Sequence, residues 1–176
     1  MKQFRPRDVY LAACFSDAAY DDNPSEKIDT LRSPGTLLGA PEPLIIGDST
    51  DSHCLLTVHK RRSDGRITLV IAFRGTTDLD DWRVDKDTKL TILEGTDGGK
   101  VHHGFLGRYT EYQKAVKDKI EVKKKELKKK NEKIDEIIIT GHSLGGAVAM
   151  ICYVDFFNHG ICNEFKVFCI NFGQRF

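Results

Sequence analysis

The stretch EIIITGHSLGGAVA, residues 136–149, decides the fold of this chain. Three consecutive isoleucines, Ile137 to Ile139, lead into a glycine-rich turn that is followed by small residues. A short β-branched run that is apolar on both faces is typical of a strand in a parallel sheet covered by helices. We therefore predict a strand over Glu136–Thr140 and a helix over Ala147–Phe157, joined by a tight turn.

The turn between them contains a glycine and serine pattern that is found around nucleophilic serines. Gly141-His142-Ser143-Leu144-Gly145 fits G-x-S-x-G, in which a sharp strand-to-helix turn holds a serine in a strained conformation with its hydroxyl exposed. Glycine is needed at both ends because the strand and the helix pass too close together for side chains. We predict that Ser143 is a nucleophile and that the backbone N–H of Leu144 stabilises the developing oxyanion. The alternative, a glycine-rich turn without chemistry, is disfavoured by the predicted strand and helix on either side.

Strand-like and helix-like segments alternate along the rest of the chain. Ile67–Phe73 is a continuous apolar run that we place at the centre of the sheet. Arg108–Lys133 has the apolar spacing of a long helix, with one apolar stripe formed by Tyr112, Val116, Ile120 and Leu127. This alternation predicts an α/β fold in one domain over residues 1–176, with a mostly parallel central sheet and helices on both faces. The other predicted segments are an amphipathic helix over Val9–Tyr20, an irregular connection over Asp21–Pro43, and strands over Leu44–Ile46, His53–Lys60 and Phe165–Phe172.

A second oxyanion donor is expected from a loop that follows an earlier strand. Phe73-Arg74-Gly75-Thr76 comes directly at the end of the predicted central strand. Thr76 could offer its backbone N–H there, with its hydroxyl as further support. Taken alone, the same four residues also fit an ordinary polar turn.

Four blocks of sequence, taken together, resemble the class 3, or fungal-type, lipase family. They are FRGTTDLDDW at 73–82, VHHGF at 101–105, GHSLGGAVA at 141–149 and NFG at 171–173. The blocks occur in the family's order and approximate spacing, and the resemblance covers residues 69–174. It implies an α/β-hydrolase fold and hydrolysis of acylglycerols or other carboxylic esters without cofactor or metal. It also implies that Ser143 is the nucleophile and that Thr76 and Leu144 form the oxyanion hole.

The resemblance places Trp82 in or near the family's lid, the segment that uncovers the site at a lipid surface. Asp78, Asp80, Asp81, Asp85 and Asp87 surround this tryptophan. A segment this acidic docks poorly on an anionic membrane, so we expect a short polar lid and little activation at lipid surfaces. The alternative is that Trp82 is a packing residue among solvated acids.

The sequence offers no clear acid and histidine to complete a catalytic triad with Ser143. In α/β-hydrolases the triad runs in the order Ser, Asp or Glu, then His, but after Ser143 the chain holds one aspartate, Asp155, and one histidine, His159. On the predicted helix Asp155 is about 18 Å from Ser143, and His159 is farther away. We assign neither, and we expect a chain truncated after its nucleophile half. The alternative is a catalytically inactive relative with a binding or regulatory role.

The other histidines are not assigned to catalysis either. The resemblance implies that His142 packs beneath the nucleophile and that His102 has a structural role, while His103 occupies a variable position. His53 and His59 lie in a strand-like run, where we expect them to be hydrogen-bonded or exposed at the surface.

Charge is concentrated in one segment, although the chain has a formal net charge of +1. Residues 114–133 hold ten lysines and four acids. We interpret this run as the solvated face of a surface helix, with i,i+4 pairs such as Glu121 to Lys125 and Glu126 to Lys130. Contact with an anionic membrane surface is the alternative, and the run lacks the aromatic interleaving of a nucleic-acid site.

Composition favours an ordinary globular protein, with 40% hydrophobic and 30% charged residues in a chain of 176. The five cysteines are odd in number and lack metal-ligand spacing, which favours free thiols in a reducing compartment. Leu11 to Cys14 resembles a lipoprotein cleavage box, but these residues also fit the amphipathic helix. We therefore expect an intracellular protein without a transmembrane segment.

Overall fold

A central sheet organises the chain. The computed structural model describes residues 5–30, 44–49, 52–61, 64–76 and 89–173. The main strands are β1 (Leu44–Ser49), β2 (Ser52–Lys60), β3 (Ile67–Phe73), β6 (Glu136–His142) and β7 (Lys166–Phe172), and two short ones are β4 (Leu90–Ile92) and β5 (Lys100–His102). The main strands form one sheet in the order β1-β2-β3-β6-β7, and β4 pairs with β5 separately.

Helices cover both faces of this sheet, as predicted. The described helices are α1 (Pro6–Ala18), α2 (Pro24–Thr30), α3 (His103–Lys128), α4 (Leu144–Asn158) and α5 (Ile161–Glu164). On one face, Leu11 and Phe15 of α1 pack with Val70 and Ile138 of the sheet. On the other face, α3 and α4 pack on the sheet through residues such as Val116. The structure therefore has three layers around two apolar interfaces.

The α/β prediction is confirmed, but the main sheet is mixed instead of mostly parallel. β3, β6 and β7 run parallel, whereas β1, β2 and β3 are joined by antiparallel pairings. The antiparallel half arises because β2 and β3 are joined by a connection too short for a crossover, with Gly65 at a φ of 69°. All seven residues of β3 are buried, as expected for the central strand.

Several element bounds shift by a few residues, and three segments differ from their predicted form in ways that have a clear structural cause. Residues 21–43 were expected to be irregular, but Pro24–Thr30 forms a helix, and residues 31–43 lie outside the described part of the chain. The long helix begins and ends five residues earlier than predicted, because His102 caps its first turn and Asn131 has a φ of 54° just beyond its end. Within β7 only Phe168 and Ile170 are buried, because this strand lies at the end of the sheet order.

The predicted apolar stripe of α3 is confirmed. Tyr112, Val116, Ile120 and Leu127 are buried, together with two aromatic residues of the first turns that the predicted boundary left out, Phe105 and Tyr109. Both additions follow from the earlier start of the helix. The stripe thus runs along almost the whole length of α3.

The lysines of α3 lie outside that stripe, as expected, but their partners differ from the predicted ones. Glu121 pairs with Lys124, and Glu126 pairs with Lys123. These pairs have i,i+3 spacing, which is as close on a helix surface as the i,i+4 spacing that we predicted. Just beyond α3, Glu132 pairs with Lys60 at the end of β2. The lysine-rich end of α3 therefore lies at the edge of the sheet where β6 begins.

The cysteines and the N-terminal helix contribute side chains to the buried part of the fold. All five cysteines are free thiols, and Cys14, Cys54 and Cys152 are buried. Burial raises the pKa of Cys169 to about 12, although its hydrogen bond to Asn171 acts in the opposite direction. Leu11, Ala12 and Cys14 of α1 belong to the buried part of the fold. Among the residues that the structure describes, no helix is long and apolar enough to cross a membrane.

Candidate active site

Ser143 has a backbone conformation that residues with side chains rarely adopt. It follows β6 and precedes α4 with a φ of 54° and a ψ of −122°. Such a conformation costs on the order of 1–3 kcal/mol and persists only where the surrounding structure enforces it. In the described part of the chain, Asn131 is the one other non-glycine residue with a positive φ. The strained serine turn predicted from the motif is therefore present.

The two motif glycines show what enforces the strain. A Cβ atom on Gly141 would stand 2.3 Å from the carbonyl oxygen of Gly145. A Cβ atom on Gly145 would stand 2.1 Å from the carbonyl oxygen of Phe73. Both neighbours are backbone atoms that cannot rotate away, so only glycine fits at either position.

The loop after β3 lies against both flanks of Ser143. In the parallel pairing of β3 with β6, Phe73 is opposite Gly141, so the two strands end together. The backbone around Phe73 contacts Gly145, and a Cβ atom on Gly75 would stand 2.7 Å from the carbonyl oxygen of His142. Thr76 follows Gly75 and is half-buried. The structure therefore brings the loop that carries Thr76 to the turn that carries Ser143.

Leu144 is the first residue of α4, and its side chain is buried. The first N–H groups of a helix have no acceptor within that helix, and the positive end of the helix dipole favours negative charge. Ser143 itself is only 7% exposed, so its side chain is more enclosed than the motif predicted. The backbone N–H of Leu144 at this helix start fits the predicted role of an oxyanion donor, and the same role for Thr76 stays a prediction.

His142 points to a partner that the sequence did not reveal. It is exposed rather than packed beneath the nucleophile as the resemblance implied, because successive side chains alternate across a strand. Its Nδ1 shares a hydrogen bond of 2.9 Å with the hydroxyl of Tyr20, which follows α1. Tyr20 also lies under the side chain of Arg74, whose Cζ is 5.9 Å from the ring centroid. No motif marks Tyr20, since its partners are more than fifty positions away in the sequence.

Asp155 and His159 lie together, at the opposite end of α4 from Ser143. Asp155 accepts hydrogen bonds from Tyr109 at 2.6 Å and Gln113 at 2.7 Å, and it pairs with Lys117 at 2.8 Å. The Nδ1 of His159 is 3.0 Å from the same carboxylate. Burial alone would raise the pKa of Asp155, but the hydrogen bonds from Lys117, Tyr109 and Gln113 outweigh it and lower that pKa.

The cavity beside this pair has a volume of about 540 Å³ and is lined by α3, α4 and the β4 region. Ser143 is not among its lining residues. The carboxylate is thus engaged in joining α3 to α4, and the expectation that Asp155 and His159 are remote from the nucleophile agrees with the geometry.

Of the remaining histidines, His102 and His103 have local partners, whereas His59 and His53 are buried. The Nδ1 of His102 accepts the N–H of Gly104 at 3.2 Å and so caps α3, while His103 lies 3.1 Å from the hydroxyl of Thr91. The expectation for His59 is wrong, because β2 is an interior strand: His59 is buried, and in the described structure its Nδ1 has no hydrogen-bond partner. His53 is buried as well.

The predicted lid and metal binding are the last two points of the site. Trp82 and the acidic residues around it lie outside the described residues, so the proposed lid stays a prediction. Within the described ranges, no group of three or more histidine, cysteine or acidic side chains could hold a metal ion.

A strained serine between two obligatory glycines, at the end of a parallel strand and the start of a helix, is the nucleophile turn of α/β-hydrolase-type proteins. Comparison with known families identifies which family of these proteins the chain belongs to. The family model for class 3 lipases matches residues 70–175, and the chain belongs to that family.

Individual relatives agree with this assignment. The chain is 32% identical to a lipase of Rhizomucor miehei over 96 residues, which cover 54% of this chain and 25% of that protein. It is 28% identical to the secreted mono- and diacylglycerol lipase A of Penicillium cyclopium over 156 residues, which cover 88% of this chain and 50% of that protein.

Solved structures extend the likeness to nearly the whole chain. The Rhizomucor miehei lipase propeptide complex superposes with a TM-score of 0.60 at 22% identity, over 98% of this chain and 55% of that one. This likeness confirms the α/β-hydrolase fold. The chain spans between a quarter and about half of the length of these relatives.

Proposed function

We propose that this chain carries the nucleophile and the oxyanion hole of a carboxylic ester hydrolase that acts on lipid esters. The observation that carries the proposal is the strained backbone of Ser143, held between two glycines and against the loop of Thr76. Strain of this kind is costly, and it is typical of sites where a side chain must be aimed at a substrate. Membership of the class 3 lipase family supports the same chemistry.

The reaction would proceed through an acyl-enzyme. The Oγ of Ser143 attacks the ester carbonyl carbon, and the carbonyl oxygen takes up the negative charge. The N–H groups of Leu144 and Thr76 stabilise this oxyanion. The proton that Ser143 Oγ gives up is passed to the alkoxide, which leaves as the alcohol when the carbonyl re-forms. Water attacks the resulting acyl-serine, which releases the carboxylic acid and restores Ser143. The proposal includes neither a metal nor a cofactor.

The substrate class rests on the family and on the named relatives. The relatives include proteins named lipase and mono- and diacylglycerol lipase, so acylglycerols are the first substrates to test. The half-buried position of Thr76 and the buried side chain of Leu144 favour an ester carbonyl that enters a partly dry site.

One observation favours a second candidate function. Asp155 and His159 are the one aspartate and the one histidine after Ser143 in this sequence, and they pair with each other at the far end of α4. Without a general base serine is a weak nucleophile, and loss of the histidine costs on the order of a million-fold in a well-studied serine protease. The second candidate is a non-catalytic relative that keeps the serine turn as architecture and has a binding or regulatory role.

A single labelling experiment separates the two candidates. The purified chain is treated with an uncharged fluorophosphonate, and the modified residue is located by mass spectrometry, with Ser143→Ala as the control. We expect modification at Ser143 that Ser143→Ala abolishes, accompanied by slow turnover of a short-chain chromogenic ester. A chain that melts cooperatively but is not modified at Ser143 would contradict the proposal and favour the second candidate.

A further inference from the structure

Tyr20 joins the two halves of the candidate site, although the proposed chemistry does not use it. It lies two residues beyond the end of α1, next to the turn that carries Ser143. Besides its bond to the His142 ring, its hydroxyl can donate to the backbone carbonyl of His142, 3.3 Å away. Tyr20 therefore holds the residue before the nucleophile through both its side chain and its backbone.

The same hydroxyl packs against the oxyanion loop. A Cβ atom on Gly75 would stand 2.1 Å from the Oη of Tyr20, so these two residues are in direct contact. Gly75 comes immediately before Thr76, just as His142 comes immediately before Ser143. One phenol group thus touches both segments that must be held at a fixed separation.

Arg74 anchors the other side of the tyrosine. Its guanidinium is buried, and its Nε and Nη1 have no hydrogen-bond partner among the described residues. The face of the Tyr20 ring therefore supplies an important stabilising contact for this cation, at a distance where cation–π attraction operates. The ring and the hydroxyl of Tyr20 have separate roles, and Tyr20→Phe removes the hydroxyl while it keeps the ring contact with Arg74.

The protonation state of Tyr20 agrees with a role as a donor. Burial raises the pKa of Tyr20, and the nearby charge of Arg74 acts in the opposite direction without cancelling that rise. The hydroxyl is therefore protonated at neutral pH. It can donate a hydrogen bond there, and it is unsuited to act as a general base.

We propose that Tyr20 is a positioning residue of the oxyanion hole, which fixes the distance between the Thr76 and Leu144 donors through Gly75 and His142. This inference rests on the proposed function. An oxyanion donor is effective only about 2.7–3.1 Å from the charged oxygen, so a clamp on both donor segments matters for the rate. A merely structural tyrosine would affect stability but would leave the two donor segments in place.

The kinetic test compares Tyr20→Phe with Tyr10→Phe, a matched change at a residue of α1 that is 47% exposed. Modification of Ser143 by the uncharged fluorophosphonate is measured at several probe concentrations, which separates the maximal rate from the half-saturating concentration. We expect Tyr20→Phe to lower the maximal rate about five- to tenfold, the effect of one lost hydrogen bond, with little change in half-saturation. Tyr10→Phe leaves both values unchanged.

A second measurement does not depend on the reactivity of Ser143. Amide hydrogen exchange is followed at Thr76 and Leu144 in both variants, together with the melting temperature. We expect Tyr20→Phe to speed exchange at both amides about five- to tenfold while the melting transition stays cooperative. His142→Ala should speed exchange less, because it removes the bond to the ring but leaves the bond to the backbone carbonyl. Added to Tyr20→Phe it should have little further effect, because both bonds are already lost.

The outcomes separate this inference from the proposed function. Unmodified Ser143 in the parent chain would contradict the proposed function, and the exchange data would still decide whether Tyr20 clamps the two segments. Unchanged exchange at Thr76 and Leu144 in Tyr20→Phe would overturn the inference. It would also be overturned if modification slowed equally in Tyr20→Phe and Tyr10→Phe, or if only half-saturation changed.

Discussion

Gly145 in the first turn of α4 is in direct contact with the carbonyl oxygen of Phe73 at the end of β3, since a Cβ atom on Gly145 would stand 2.1 Å from that oxygen. Two backbone segments from distant parts of the sequence are therefore pressed together beside Ser143. Neither can yield without moving a strand or a helix. The geometry of the nucleophile turn is thus determined by backbone contact more than by side-chain packing.

Gly145→Ala should destabilise the fold and remove the reactivity of Ser143. The added methyl group cannot be accommodated, so we expect the free energy of unfolding to fall by about 3 kcal/mol, the upper part of the range for overpacking. Denaturant unfolding measures this change. Gly107→Ala is the control, because Gly107 lies in α3 with no atom near its Cβ position. That change should stabilise the chain by up to about 1 kcal/mol, and equal destabilisation by both variants would contradict the argument.

Ser143→Gly should be more stable than Ser143→Ala. Glycine adopts a positive φ without strain, whereas alanine keeps the penalty that serine has at a φ of 54°. We expect a difference of about 1 kcal/mol in the free energy of unfolding, reduced from the full strain by the greater flexibility of glycine in the unfolded chain. Identical stabilities of the two variants would show that the turn is not strained.

Asp155→Asn should destabilise the chain in a manner that depends on pH. The native pKa of Asp155 is lowered below its unfolded value of about 3.9, so its stabilising contribution is present above that pH and declines as the pH falls through the native pKa. At pH 7 we expect the variant to lose about 2 kcal/mol, because the carboxylate bonds of Tyr109, Gln113 and Lys117 are weakened. Urea unfolding at a series of pH values should show the difference shrinking below about pH 4.

Asp118→Asn is the matched control for that series. Asp118 pairs with Lys114 on α3, and both side chains are well exposed, at 63% and 92%. Exposed pairs contribute little, so the variant should match the parent within about 0.5 kcal/mol at every pH. A loss equal to that of Asp155→Asn would indicate a general charge effect instead of the buried network.

The acidic segment around Trp82 leads to a prediction about lipid surfaces. If the lid is short and polar, the rate on an ester should rise smoothly with its concentration and show no jump where emulsion droplets form. Measurement on one ester above and below its solubility limit provides the test. A sharp increase at that limit would favour a lid that opens on the lipid surface.

Local sequence patterns predicted most of the sheet and the nucleophile turn. Ile67–Phe73 and the isoleucines before Gly141 form buried strands as predicted, because a long β-branched run has few other ways to satisfy its backbone and bury its side chains. The serine turn follows from two glycines at fixed spacing, since each excludes a side chain for a local steric reason.

The parts that were not predicted depend on contacts between distant residues. Tyr20 and His142 are separated by 122 positions, and no periodicity reveals their pairing. The early start of α3 depends on the cap by His102, and the burial of His59 depends on the place of β2 within the sheet. Local propensity decides which segments form strands, whereas tertiary contacts decide which polar side chains are enclosed.

The lysine-rich end of α3 and Ser143 lie at opposite ends of the central sheet. Those lysines lie where β6 begins, and Ser143 follows where β6 ends, so the seven residues of that strand place them about 20 Å apart at opposite poles. A bilayer held at the basic end of α3 would therefore lie about 20 Å from Ser143. Under the proposed function, a lipid ester would therefore reach Ser143 from the end of β6 that is opposite the basic end of α3.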